Sequence, residues 1–424
     1  MRSKAAGASL AVLFLVNVLN FYDRQALGAV LEPLRHEFHL SDTQLGALTT
    51  IFTLLYAVAG LPLGRLADTW SRRRLLAIGV AVWAGLTGLG GLAASYAMLL
   101  VTRLGVGVGE AVCAPAATSW IGDLVPASRR ARAMAGFMMA VPVGGMLSFA
   151  ISGPVAQAHG WRVALALAAL PAVALVPAVM WLREPARGAS GAGPCPARAL
   201  SLVKIPALWW IAASGAIVNF TLYSFSTFLP AFLTRFHGLS VAQAGLWTGI
   251  GSGVAGILGG AAAAAYGDRV IRRRGNGRML LAAGASLAAA PLAFLAIRMR
   301  AGNVWGAIAL VMAAYGLLQM YYGLVYAAIQ DIVEPSLRGT AMAAYFLAMY
   351  LCGASAGPLV TGRLSDHFAR QAAGAGAVTE AARSIGLHHA MYVIPALSVA
   401  LAAVLWAGAW ARPTPSPKLT VPPE

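Results

Sequence analysis

The chain has 424 residues, 59% of them hydrophobic and only 11% charged, whereas soluble globular proteins carry about 25% charged residues. That composition excludes an ordinary soluble domain, and nothing alternates over the ~10-residue segments of a membrane β-barrel. A net charge of +17 would point to nucleic acid in a soluble protein. In a membrane protein it reads as Lys and Arg gathered in cytoplasmic loops, so no nucleic-acid partner is expected.

Crossing hydrocarbon takes roughly 20 predominantly apolar residues per helix, and such runs recur along the whole chain. They predict spans near 8–32, 43–66, 75–95, 98–121, 132–156, 161–182, 206–233, 241–266, 279–298, 304–329, 340–362 and 389–411. The expected fold is an all-α polytopic membrane protein of twelve transmembrane helices in two six-helix bundles. Residues 1–183 form the first bundle and 205–424 the second, with its short tail. Between them "EPARGASGAGPCPARALSLVK" (184–204) reads as a cytoplasmic linker, because a Gly-, Pro- and Ser-rich stretch builds no packed core. A second long loop is expected at 363–388. The first span is too long for a cleavable leader, carries charges, and has no small-residue cleavage site after it.

Span 1 contains "NVLNFYDRQALG" (17–28), with Asp23 and Arg24 side by side in an apolar helix. Asn17, Asn20 and Arg24 follow at i, i+3 and i+7, on one face. Span 4 carries Arg103 and Glu110, seven residues apart and so on one face, with Gly107 between them. Apart from Arg65 near a helix end, these four are the ionised side chains placed inside spans. A charge at the bilayer centre costs about 2.5–3.5 kcal/mol on insertion scales, so such groups pair or line a watery cavity. Two readings stand open: a fixed ion-pair network, or proton coupling through Asp23 and Glu110 with Arg24 and Arg103 as partners.

Spans 7–12 have no ionised residue in their interiors. Span 7 offers Asn219, Tyr223 and Thr227 at i, i+4 and i+8; span 10 offers Tyr315, Gln319, Tyr322 and Tyr326 at i, i+4, i+7 and i+11. These stripes serve either helix packing or the wall of a substrate cavity. The three cysteines are scattered, without metal or disulfide spacing, so no metal is expected.

The connections repeat. "DTWSRRR" (68–74) is answered by "DRVIRRR" (268–274), and "DLVPASRRARA" (123–133) by "DIVEPSLRGTA" (331–341). "GP" recurs at Gly153-Pro154 and Gly357-Pro358. Three coincidences in register argue for a duplicated six-helix unit, an architecture of transporters. Of the basic residues outside spans, 20 fall on the side of the termini and 8 on the other. The bias places both termini in the cytoplasm, and a bacterial inner membrane is the expected location.

"GRLADTWSRRRL" (64–75) resembles the loop signature between helices 2 and 3 of the major facilitator superfamily, departing from it at Ser71, where glycine is usual. "RLGVGVGEA" (103–111) resembles the superfamily's helix-4 motif, and the "GP" pairs its helix-5 motif. "NFYDR", "LSDTQLGAL" (40–48), "VGEA" and "DLVP" narrow the resemblance to Spinster-like members. It implies a transporter rather than an enzyme, with helices 1 and 4 facing a central cavity between rocking halves. It also implies an amphipathic cargo such as a lysophospholipid or sphingoid phosphate. An organic-anion symporter or multidrug exporter is the alternative.

On this reading Asn20, Arg24, Arg103, Asn219, Tyr223, Tyr315, Gln319, Tyr322 and Tyr326 bind substrate. Asp68, Arg72, Arg73, Arg74, Asp123, Arg130, Asp268, Asp331 and Arg338 gate, with Asp68 near the start of helix 3 facing the N-terminus of helix 11. No cofactor is expected. A proton crossing a 100 mV potential releases about 2.3 kcal/mol, and the proton gradient is the expected energy source. The expected partners are the substrate, protons and the bilayer, with the protein a monomer.

Overall fold

Among the described residues, twelve helices are long and apolar enough to cross a membrane. They are α1 (Ala6–Ala29), α2 (Asp42–Thr69), α3 (Arg72–Gly91), α4 (Tyr96–Leu124), α5 (Arg132–His159) and α6 (Trp161–Trp181), then α7 (Pro206–Arg235), α8 (Val241–Arg273), α9 (Gly277–Arg298), α10 (Val304–Ile332), α11 (Arg338–Ala373) and α12 (Glu380–Trp410). The computed structural model describes residues 2–186, 200–334 and 337–411. Residues 187–199 of the expected linker lie outside them, as do Arg412 and Lys418 of the charge count. An even number of spans leaves both ends of the described chain on one side, the terminal end; the opposite side is the far end.

Two expectations are corrected. The loop at 363–388 is mostly helix: α11 runs on to Ala373, and α12 starts at Glu380 behind the Thr379 hydroxyl, which accepts from the Ala382 N–H at 3.2 Å. Arg363, Asp366, Arg370 and Arg383 end the apolar run without ending the helix, because a helix that leaves the hydrocarbon needs only one apolar face. Asp68 lies in the last turn of α2, not at the start of α3.

Proline explains the irregular places. It lacks an N–H and crowds the carbonyl four residues before it. α4 breaks at Ala111 and Val112, four and three residues before Pro115, directly after Glu110. α5 breaks near Met139 before Pro142, and α12 at Met391 and Tyr392 before Pro395. In α11 a wide π turn, Met349–Ala354, precedes Pro358.

A further repeat emerges. Ser41 and Gln44 form a reciprocal capping box at the start of α2, and Ser240 and Gln243 form the same box at the start of α8. Gly46 and Gly245 follow at the same spacing, each pressed on the backbone of a helix from the other six spans: Pro358 of α11, and Phe149 and Gly153 of α5. The first and last six spans therefore meet at the far end through two related seams, α2 on α11 and α8 on α5.

The apolar cores tell the same story. One cluster runs through the last six spans and crosses at the far end to Leu31, Leu45 and Leu48, beside Phe228 and Leu387. A second cluster, including Leu13, Leu76, Trp120 and Val179, stays within the terminal end of the first six. The halves share a core at the far end and keep separate cores at the terminal end.

Candidate functional site

Successive helical residues point about 100° apart, so Asp23 and Arg24 reach different neighbours. Arg24 donates from Nε and Nη2 to Oε2 of Glu110 at 3.2 and 3.0 Å, and from Nη2 to Oδ1 of Asn20 at 3.2 Å. Asp23 accepts from the Thr87 hydroxyl of α3 at 2.8 Å, with Nη1 of Arg103 at 3.7 Å. The two charge pairs expected on α1 and α4 are thus crossed: Arg24 with Glu110, Asp23 with Arg103. Their side chains are at most 6% exposed.

Glycine makes this approach possible. A Cβ at Gly107 would stand 2.5 Å from the Phe52 carbonyl oxygen of α2, and one at Gly109 3.0 Å from the Trp83 nitrogen of α3. Without side chains there, α4 lies against both helices and carries Arg103 and Glu110 up to α1. The Arg24 guanidinium rests over Tyr56 at 4.4 Å, Phe21 at 4.6 Å and Phe52 at 5.3 Å. Such ring faces attract a cation, more strongly when water is excluded.

The polar groups are incompletely satisfied. Asp23 Oδ1, Glu110 Oε1, Arg24 Nη1, Arg103 Nη2 and Asn20 Nδ2 are buried with no hydrogen-bond donor or acceptor partner in the protein. Buried polar atoms are normally paired, and each exception calls for a reason. Arg24 and Arg103 also line one cavity between the halves, with Thr49, Phe52, Tyr223 and Thr227.

In the last six spans the expected stripes meet. The Tyr322 hydroxyl donates to Oδ1 of Asn219 at 3.3 Å, and Gln319 Nε2 to the Tyr315 hydroxyl at 3.0 Å. Tyr326 packs on Tyr322 and on Tyr345 and Phe346 of α11. Tyr223 meets Tyr350 of the π turn at 6.3 Å, and Tyr350 meets Tyr56 at 5.1 Å. A row of half-buried rings therefore leads from Arg24 across to α7 and α11. Tyr56, Tyr350, Tyr345 and Thr87 were not singled out from the sequence. Phe52 and Tyr56 are an aromatic i, i+4 pair that periodicity could have found; Thr87 and Tyr350 carry no such signal.

At the terminal end, Arg72 bonds Asp123 at 2.5 Å and Glu184 at 3.1 Å, and Arg73 donates to the carbonyls of Met180 and Leu182. Arg74 is exposed and gives its backbone N–H to Ser71. Asp331 and Asp268 are both held by Arg278, at 2.6 and 3.0 Å. Arg338 donates to the Val333 carbonyl at 3.3 Å, and Arg130 is half-buried. The repeat of the Arg triplets is corrected here: Arg72 opens α3, whereas Arg272 and Arg273 close α8. The structural partner of Arg72 is Arg278, each bonding the repeated aspartate across its own half. Asp68 is exposed, and a Cβ at Gly339 would meet nothing within 4 Å.

The family model described as Major Facilitator Superfamily matches residues 13–358. An "MFS-type efflux pump" of Mycolicibacterium smegmatis is 31% identical over 86% of this chain and 85% of its own. "Protein spinster homolog 1" of Bos taurus is 29% identical over 85% of this chain and 73% of its own. A solved bacterial homologue of the human lysosomal transporter Spinster, inward-facing and unoccupied, superposes with a TM-score of 0.86 at 26% identity, covering 97% of this chain and 99% of that one. The chain belongs to the Major Facilitator Superfamily, within it to the Spinster family, and is a transporter rather than an enzyme.

Proposed function

We propose that the protein is a proton-coupled secondary transporter that works by alternating access and carries an amphipathic, lysolipid-like substrate with an anionic head. The observation that carries this reading is the set of buried polar atoms left without partners on Asp23, Glu110, Arg24 and Arg103. A proton on Glu110 weakens its hold on Arg24. That guanidinium, with Arg103, then presents free N–H groups to an anionic head in the cavity they line, and arginine suits phosphate because its planar fork binds it bidentately. The aromatic row from Tyr56 to Tyr326 offers an apolar face to the tail.

The basic bias supports both termini in the cytoplasm of a bacterial inner membrane. On that orientation the far end, where the halves share a core, faces outward, and the terminal end, where their cores stay separate, faces inward. The first and last six spans rock as two bodies about the site. In the opposite state Asp68 approaches the positive N-terminus of α11 beside Arg338, where a carboxylate gains roughly 0.3–1 kcal/mol. The protein acts as a monomer and uses no cofactor beyond the proton gradient.

A thermal-shift screen of lysophospholipids, sphingoid phosphates and cationic drugs on the purified protein selects the substrate class. Reconstituted in proteoliposomes with an imposed pH gradient, the wild type accumulates the selected ligand. Asp23→Asn and Glu110→Gln each abolish uphill accumulation. Undiminished uptake by both variants sinks proton coupling through this pair. The likeness to an efflux pump favours one second reading, a multidrug exporter; stabilisation by cationic drugs alone, with no response to anionic lipids, selects it.

A further inference from the structure

The far end holds a second buried charge network, of which the sequence motifs touch Asp42 alone, in "LSDTQLGAL". Arg235, in the last turn of α7, donates from Nη1 and Nη2 to both oxygens of Asp42 at 2.8 and 2.9 Å, and from Nε to Glu32 at 2.7 Å. Arg35 donates to Glu32 at 3.2 Å and to both oxygens of Glu380 at 2.9 and 2.7 Å. The Ser365 hydroxyl donates to Asp42 at 2.6 Å, and Asp366 caps the start of α2 by accepting from the N–H groups of Asp42 and Thr43 at 3.0 and 2.9 Å. Glu32, Arg35 and Asp42 belong to the first half, and Arg235, Asp366 and Glu380 to the last. At the terminal end the ion pairs of Arg72 and Arg278 stay within one half each.

The internal repeat sharpens the point. The related seam of α8 on α5 is closed by a neutral group, with Gln157 accepting from the Ala242 N–H at 2.8 Å. Among the described residues the inter-half ion pairs gather on the α2–α11 side, and their hub is nearly dry: the side chains of Arg235, Asp42 and Glu32 are 4%, 2% and 7% exposed. Burying paired ions costs desolvation that excellent geometry offsets, whereas removing one partner leaves the rest buried and uncompensated. Opening returns every one of these groups to water. A charged seam therefore closes with a defined geometry and can still part, which an apolar seam of equal area does less readily.

We infer that Arg235 is the positioning hub of a far-end clasp, with Glu32, Asp42, Arg35 and Glu380, that holds the two halves together in the described state and must release for the far end to open. The clasp lies outside the proposed proton and substrate site, and its test needs no substrate. Spin labels at Ala94→Cys and Gly302→Cys, exposed on far-end connections of the two halves, are placed in a chain whose three native cysteines are replaced by alanine. Pulsed electron resonance then reads the distance between them.

The parent gives one short distance. Arg235→Met, and independently Asp42→Asn, adds a longer distance that holds the majority of the population. Arg235→Lys keeps the short distance as the larger share, since an ammonium retains the charge without the fork. Should Arg235→Met fail to yield monodisperse protein, Glu380→Gln decides, because Glu380 is 64% exposed and its loss removes only the Arg35 arm; it gives a smaller long-distance share. Parent-like distances in Asp42→Asn and Glu380→Gln, or in a monodisperse Arg235→Met, overturn the inference.

Discussion

At the residue scale, adjacency is what makes Asp23 and Arg24 useful. Because neighbours on a helix diverge, one side chain serves α3 and Arg103 while the next serves Glu110 and the ring stack. The sequence showed that these four charges had to be explained, since they sit where charge is expensive. It did not show which carboxylate each arginine takes, because that depends on how α4 is turned against α1. Tyr322 admits two roles, packing or cavity wall, and its bond to Asn219 serves either. If it lines the substrate path, Tyr322→Ala weakens binding of the selected lipid about tenfold, in keeping with ~1.4 kcal/mol for a lost aromatic contact. Isothermal titration on the purified variant measures it; unchanged affinity with a lowered melting temperature returns the residue to packing.

At the element scale, helix starts and breaks were largely legible. Serine caps and prolines act within one turn of where they stand, so the breaks in α4, α5 and α12 and the π turn of α11 each trace to a proline. The departure at Ser71 also finds its reason here. Its φ of −60° needs no glycine, and its hydroxyl accepts from Arg74 and donates to Glu184 at 2.7 Å. Burial raises the Glu184 carboxyl, but bonds from Ser71, the N–H groups of Arg72 and Arg73, and the Arg72 side chain outweigh it and hold the group below its ordinary 4.5. A depressed carboxylate stabilises the fold fully above its unfolded value and loses that contribution as pH falls through its folded one. Melting temperature in detergent therefore drops more steeply below pH 4.5 for the wild type than for Glu184→Gln; parallel curves would show that the clamp contributes nothing.

Helix contact supplies a second test at this scale. A Cβ at Gly46 would run into the Pro358 carbonyl, and overpacking of this kind costs roughly 1–3 kcal/mol. Gly46→Ala loosens the α2–α11 seam and adds a longer far-end distance for the same spin-label pair; an unaltered distribution contradicts so tight an approach. The loop at 363–388 shows where element-scale reading stops. Hydropathy tracks the hydrocarbon, not the hydrogen-bonded helix, so the polar ends of α11 and α12 read as loop.

For the whole molecule, the amino-acid sequence alone determined twelve apolar spans, their pairing as two repeats, and a charged site confined to the first repeat. The spans and the site are matters of composition and spacing within a few dozen residues, and the repeats of short motifs that recur between 68–74 and 268–274 and between 123–133 and 331–341. It also carried the capping-box repeat of α2 and α8, unread because the shared letters are few and only their contacts reveal them. Tertiary structure decided which end is closed and by what. The Arg235 and Asp42 side chains that meet at the far end are 193 residues apart in the chain, and Arg235 lies in no motif. Ionised residues near helix ends look alike in sequence, whether solvated or buried. Only the docking of α2 on α11 and of α7 on α1 excludes water from this set, and that packing turns surface charges into a clasp.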